Sequence, residues 1–198
     1  MSLFTVNELK SRTFFEKLAF SDFSMRSKQP EQILLEQAKS FSNLKTYHIF
    51  LSHSFGDADM ILELKLRLEN LGFSVYVDWI EDRQLDRSKV SKETANLLRE
   101  RMNCCQSLFY ACTDNSVNSK WMPWECGYFD AKKDKVAILP ISNSLTEPYL
   151  GQEYLGVYPY VTKDKIKDAN SEILWINEDS STYVTYDNWL KGMKPTKR

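Results

Sequence analysis

The sequence predicts an α/β protein built on a doubly wound, mostly parallel sheet, and three observations carry that prediction. Strand-like runs alternate with helix-like runs at a spacing that suits parallel neighbours, which can be joined only through a crossover. The run at 136–141, Val-Ala-Ile-Leu-Pro-Ile, is nearly all apolar, as a strand covered on both faces should be. Polar loops at 52–57 and 113–118 end two of the strands abruptly. In open α/β sheets, ligands sit beyond the carboxyl ends of the strands.

Residues 1–44 are polar with spaced apolar positions. Phe14, Phe15, Leu18 and Phe20 suggest a short helix, and Pro30 opens a longer one with Ile33, Leu34, Ala38 and Phe41 on one face. This region is expected to be a helical extension packed on the main domain or on a neighbouring subunit. The main domain, expected over 45–165, opens with the strand Tyr47-His48-Ile49-Phe50-Leu51. Asp57 or Asp59 is placed to cap the next helix, in which Ile61, Leu64, Leu68 and Leu71 keep a helical period and Gly72 supplies a left-handed stop. A second strand over 73–78 is rich in β-branched and aromatic residues.

A charged connection at 81–87 leads to a helix from about 89 to 102, with Val90, Leu97, Leu98 and Met102 apolar. The third strand is expected over 108–112, a helix over 121–132 and the fourth strand over 136–141. In the tail, 158–161 reads as an edge strand, and 173–176 pairs with 182–186 across a turn at 179–181. Asp187 is placed to cap a last short helix. The tail from 166 to 198 is expected to pack on the main domain.

Composition narrows the function classes. With 198 residues, 42% hydrophobic and 27% charged, the chain reads as a soluble globular protein able to stabilise its own core. Twenty-six basic residues against 27 acidic leave a net charge of -1, and no basic stripe points to nucleic acid. Cys104, Cys105, Cys112 and Cys126 show no paired C-x-x-C spacing, and His48 and His53 lie far upstream, so no metal site is expected. Cys104 and Cys105 fall inside a helix-like run and, like Cys112, read as buried small apolar residues. Reduced thiols, no leader-like start and no apolar stretch near the ~18 residues of a membrane span place the expectation in the cytoplasm, with no membrane partner.

Loops after strands one, two and three open on one edge of a parallel sheet. Ser52, His53 and Ser54, then Asp78, Trp79 and Arg83, then Trp121 and Glu125 can therefore face one crevice. Hydroxyls, a guanidinium, aromatic rings and a carboxylate suit a polar ligand with phosphates and a flat ring. Trp121 and Glu125 stand four apart at the start of a helix, with Pro123 tolerated in its first turn. Neither G-x-G-x-x-G, a Walker sequence nor G-x-S-x-G occurs, which disfavours Rossmann cofactor binding, P-loop chemistry and a hydrolase triad.

These residues match a family. Tyr47-His48-Ile49-Phe50-Leu51-Ser52-His53-Ser54 resembles the first box of Toll/interleukin-1 receptor (TIR) domains. The run from Phe73 to Trp79 resembles the strand that enters their BB loop, and Trp121-x-x-x-Glu125 resembles the Trp-x-x-x-Glu element of enzymatic TIR domains. The resemblance covers about 46–161 and is greatest to the bacterial stand-alone branch, some of whose members serve in Thoeris-type anti-phage systems. His48, where many members carry an acid, and Pro123-Trp124 at the helix start depart from the pattern.

The resemblance implies a flavodoxin-like TIR fold and an enzyme that cleaves the nicotinamide–ribose bond of NAD, with NAD as substrate and no cofactor. It carries the catalytic carboxylate onto Glu125. Substrate-binding roles fall to Trp121 at the ring wall, to Phe50, Ser52 and His53 on the nicotinamide and ribose side, to Asp78 and Trp79, and to Arg83 near a phosphate or a neighbouring subunit. The product is expected to be a cyclic or otherwise modified ADP-ribose signal, with ADP-ribose, a cyclic isomer and another conjugate all left open by the sequence, and self-association through TIR–TIR contacts and a phage-derived activator are the further partners. The competing expectation is a non-catalytic adaptor using the loop at 79–87 as its interface. A phosphoacceptor domain fits least, because Ser52-His53-Ser54 and Cys112-Thr113 stand where clustered acids would be needed.

Overall fold

The computed structural model describes residues 1–10, 46–78, 91–142, 153–165 and 172–198. Its strands are β1 (Phe4–Thr5), β2 (Tyr47–Ser52), β3 (Val75–Tyr76), β4 (Cys105–Cys112), β5 (Val136–Ser142), β6 (Tyr160–Lys165), β7 (Glu172–Asn177), β8 (Thr182–Thr185) and β9 (Thr196–Lys197). Its helices are α1 (Val6–Lys10), α2 (Ala58–Asn70), α3 (Lys92–Asn103), α4 (Met122–Lys133) and α5 (Tyr186–Leu190).

The strands form one sheet in the order β3-β2-β4-β5-β6-β7-β8-β9, with β1 parallel to the end of β5. From β3 to β6 every pairing is parallel, and β7, β8 and β9 follow antiparallel. The chain runs from β2 outward to β3 and then returns to the other side of β2 with β4. The order reverses there, between β2 and β4, and in open α/β sheets ligands bind beyond the carboxyl ends of the strands at such a reversal.

Alternation of side chains assigns the two faces. Ile49, Leu51, Phe109, Ala111 and Leu139 pack against Ile61, Leu64 and Leu68 of α2 and Tyr186 and Trp189 of α5. On the other face Tyr47, Phe50, Leu108, Tyr110 and Ile138 meet Leu98 and Met102 of α3 and Met122, Cys126 and Phe129 of α4. Ser52, two residues after Phe50, shares its face and points toward α4. Gly72 ends α2 with φ of +94°, the left-handed conformation the sequence expects of it.

Several elements differ from expectation. Residues 4–5 are a strand, not part of a helical extension, because β5 offers them backbone partners from Ile141 to Ser142; the helices expected from Phe14 to Phe41 lie outside the described residues. The second strand is a ladder of two residues, and among the described residues β3 pairs with β2 alone. The strand expected at 158–161 is shifted to Tyr160–Lys165 and is interior, because β7 pairs with it along its whole length. Cys104 is the C-cap of α3 and Cys105 opens β4, so the pair spans a helix end rather than lying within a helix. Cys105 and Cys126 are buried, while Cys104 and Cys112 are half-buried. At the amino end of α5, Thr185 holds the cap position and Asp187 lies inside the first turn.

Candidate active site

The last residue of β2 and the first turn of α4 meet at this switch point. Ser52 Oγ donates to Glu125 Oε2 at 2.6 Å, and both residues are completely buried. A short O–H···O bond of this kind fixes the orientation of the carboxyl group. Glu125 lies there because α4 starts at Met122 with Pro123 in its first turn, and the Glu125 amide donates to Trp121 O at 2.8 Å. Ser119 Oγ accepts from the Met122 amide at 3.2 Å and takes the capping role that Trp121, at the N-cap position, has no side-chain oxygen to fill. Glu125 thereby also sits at the positive end of the α4 dipole.

Aromatic side chains are packed on the same face of the sheet. Trp121 is buried and stands edge-on to Trp124, with ring centroids 5.5 Å apart. Phe50 stacks on Tyr76 at 5.3 Å with their planes 25° apart. Tyr76 was not singled out from the sequence, although β3 pairs with β2 and its register places Tyr76 directly beside Phe50. The neighbouring groups are held protonated by their surroundings. Burial pushes the Cys126 thiol up to about 11, and burial, aided by the hydrogen bond to Tyr154, pushes the Tyr110 phenol up as well.

His53 is buried beside Ser52. Its Nδ1 lies 2.9 Å from Leu51 O, and a carbonyl can only accept, so that nitrogen carries the hydrogen. The other ring nitrogen, Nε2, stands 3.6 Å from Asp78 Oδ1, with both side chains 2% exposed. The pair brings the carboxyl ends of β2 and β3 side by side. Of the residues assigned from the sequence, Phe50, Ser52, His53, Asp78, Trp121 and Glu125 are all buried on this side of the sheet. Trp79 and Arg83 lie outside the described residues.

The loop after β2 is also fastened to the loop after β4. Asp57, 3% exposed, accepts from Thr113 Oγ1 at 2.5 Å and Asn115 Nδ2 at 2.7 Å. It occupies the N-cap position of α2 but makes no side-chain cap bond there, so the capping role expected of it is replaced by a link between loops. Among the described residues no group of three or more His, Cys, Asp or Glu side chains could hold a metal ion. No helix among them is long and apolar enough to cross a membrane.

A buried carboxylate at the switch point of a parallel sheet, with aromatic side chains packed on the same face, can stabilise a developing cation on a bound sugar. It can also accept hydrogen bonds from sugar hydroxyls.

No family model matches the chain. It is 53% identical over 193 residues to the "Probable 3' cyclic ADP-D-ribose synthase ThsB'" of Bacillus cereus (strain MSX-D12), which covers 96% of this chain and 99% of that protein. It is 32% identical over 93 residues to the "Putative cyclic ADP-D-ribose synthase TIR2" of Cytobacillus dafuensis, covering 46% of this chain and 24% of that one. Among solved structures, the TIR domain of the Toll-related receptor TRR-2 of Hydra magnipapillata aligns with a TM-score of 0.43 and 15% identity, over 58% of this chain and 82% of that one.

Proposed function

The chain belongs to the family of bacterial TIR-type cyclic ADP-D-ribose synthases that includes ThsB' of Bacillus cereus, and on that footing we propose that Glu125 is its catalytic carboxylate. The protein consumes NAD, breaks the nicotinamide–ribose bond and closes the ADP-ribosyl unit into a cyclic signal, in the setting of Thoeris-type anti-phage defence. The observation that carries the role of Glu125 is its bond to Ser52, which fixes one carboxyl oxygen at the switch point, beyond the carboxyl end of β2.

The chemistry asks for one carboxylate rather than two. Nicotinamide in NAD is a cationic leaving group: the C1–N bond breaks with its electron pair passing to nitrogen, and nicotinamide departs neutral. No acid has to protonate it, unlike the leaving group of an ordinary glycoside. The ribose left behind has oxocarbenium character, and Glu125 stabilises that charge and hydrogen-bonds the ribose hydroxyls. Because the residues around it are buried, water is excluded and the interaction strengthens.

Ring closure then forms a bond from C1 of that ribose to an oxygen of the adenosine ribose, whose hydroxyl proton is lost to Glu125 or to solvent. Atoms and electrons balance without a redox partner, so NAD serves as substrate and no cofactor enters. ThsB' is named for a 3' cyclic product, and the 3' hydroxyl is taken as the nucleophile here too. Trp121 and Phe50 would exclude water from the cation, and that exclusion favours closure over hydrolysis.

The test is product analysis by mass spectrometry of cells expressing the chain under phage challenge, beside a Glu125→Gln variant. The expected product matches a 3' cyclic ADP-D-ribose standard and is lighter than ADP-ribose by one water. Glu125→Gln should lower its formation ~10²–10³-fold. A Glu125→Gln variant as active as the parent would refute the assignment of Glu125.

A further inference from the structure

We infer that Asp57 is a positioning residue of the NAD-cleaving site: it clamps the loop after β2 to the loop after β4 and so sets the distance between Ser52 and Glu125. The inference rests on the reading of Glu125 given above but concerns a residue that touches neither Glu125 nor Ser52 in the bonds seen.

The two reacting sides of the site hang from separate strands. Ser52 ends β2 and continues into residues 53–57, while Glu125 is reached from β4 through 113–121. Backbone pairing holds the strands together as far as Ser52 and Tyr110, the last pair in register. Beyond that point the loops need another tie, and Asp57 supplies it. Both of its oxygens are used, one by the Thr113 hydroxyl and one by the Asn115 amide.

Three features show that the link is built in. First, Asp57 is a polar side chain that is nonetheless buried, at the head of α2. Second, the neighbouring residue is Gly56, and a Cβ there would lie 3.3 Å from Asn115 Nδ2, so a bulkier residue would press on the same donor. Third, the loop after β4 is braced internally. Ser116 Oγ donates to Thr113 O at 2.7 Å, and the Ser116 amide donates to the same carbonyl at 3.1 Å. A pull on Thr113 or Asn115 is therefore passed along the short helical turn at Ser116–Asn118 toward Ser119, which caps α4.

A misplacement of about 1 Å at a reacting centre can cost ~10²-fold in rate. Loss of the clamp should therefore appear in kcat more than in KM, because Asp57 holds the carboxylate in register rather than contacting NAD.

The test compares four full-length proteins: the parent, Asn115→Asp, Asp57→Ala and the exchange Asp57→Asn with Asn115→Asp. Asn115 is exposed, so its change does not threaten the core, and it sets two carboxylates against each other. The exchange puts an amide donor and a carboxylate acceptor back in contact with their positions reversed. Each protein is followed by amide hydrogen exchange and by NAD cleavage, with Glu125→Gln as a control that should lose turnover while keeping the parent's exchange pattern at 113–118.

The clamp predicts faster exchange at 53–56 and 113–119 and a kcat ~10-fold lower in Asn115→Asp, with both largely restored in the exchange variant. Exchange at those loops unchanged in Asn115→Asp overturns the inference whether or not the protein cleaves NAD. So does an exchange variant no better than the single change, or a parent-like kcat in a variant whose loops have loosened.

Discussion

At the scale of single residues, the site is defined by what each polar atom is already bonded to. Ser52 was assigned to the substrate from the sequence, but its hydroxyl is directed at Glu125 Oε2, so its contribution runs through the carboxylate. Replacing it by alanine removes the donor and leaves a buried oxygen with one partner fewer, a change worth roughly 1–3 kcal/mol. Ser52→Ala should lower kcat about 10-fold or more with the protein still folded, and steady-state NAD cleavage with a thermal melt would measure both; parent-like turnover would return Ser52 to a lining role. Cys126, next in the chain, is a bystander by the same reasoning. Its thiol is buried and pushed up to about 11, chiefly by desolvation, so at pH 8 it is protonated and shielded. Iodoacetamide at that pH should modify half-buried Cys104 and Cys112 and leave Cys126 intact until the protein is unfolded; peptide mass mapping reads the order directly.

At the scale of elements, the legible parts of the fold were those whose reason is local. The helical period of Ile61, Leu64 and Leu68, the left-handed Gly72 and the apolar run of β5 all act within a few residues, and α2 and β5 appear where those signals place them. β1 left no such trace, because two residues become a strand only when β5 is beside them. β6 was read as an edge for a similar reason: nothing within it announces that β7 will cover its other side. The same division holds for the site. Glu125 and Trp121 were visible as a spacing on one helix, and Ser52 as the end of a strand, whereas the Asp57 link depends on two loops that meet only through the switch in strand order. α2 carries a prediction of its own. Glu63 is 2% exposed, and burial raises its carboxyl above the usual 4.5 despite the opposing pull of Arg67, whose Nε donates to it at 2.8 Å. A carboxyl raised in the folded state binds its proton more tightly there than when unfolded. Its contribution is thus complete below about 4.5 and is lost as pH rises through the folded value. Glu63→Gln should remove that loss, making the pH-dependence of the melting temperature flatter above pH 5, with no loss of stability at pH 7. A variant with the parent's slope, or one much less stable at pH 7, would show that the Arg67 pair outweighs desolvation.

At the scale of the whole molecule, the first ten residues fasten the parallel half of the sheet to its antiparallel half. β5 and β6 are in register only at Ile138 and Tyr160, and toward their carboxyl ends the amino-terminal segment enters between them. Phe4 and Thr5 pair with Ile141 and Ser142 of β5, while Ser2 exchanges two backbone hydrogen bonds with Lys163 of β6, each 2.9 Å. α1 then reaches back across the face of α2. Glu8 Oε1 takes Lys163 Nζ at 2.6 Å, Arg67 Nη2 donates to Glu8 O at 3.0 Å, and Phe4 and Leu9 are buried in the same core as α2. Burying two such side chains contributes about 1.5–3 kcal/mol each, against which the exposed ion pair of the terminal amine with Asp164 is worth well under 1 kcal/mol. The apolar contacts therefore decide the outcome. Deletion of residues 1–10 should lower the denaturant midpoint substantially, and Phe4→Ala alone should reproduce more than half of that loss. A Met1 amine blocked by acetylation should have almost no effect. Chemical denaturation of the three proteins, read by tryptophan fluorescence, separates these contributions. If acetylation cost as much as Phe4→Ala, the segment would be held by charge rather than by packing, and high salt would then release it. If the deletion left the midpoint unchanged, the sheet beyond β5 would be stable without the amino-terminal segment, and β5 and β6 would have to close directly on one another.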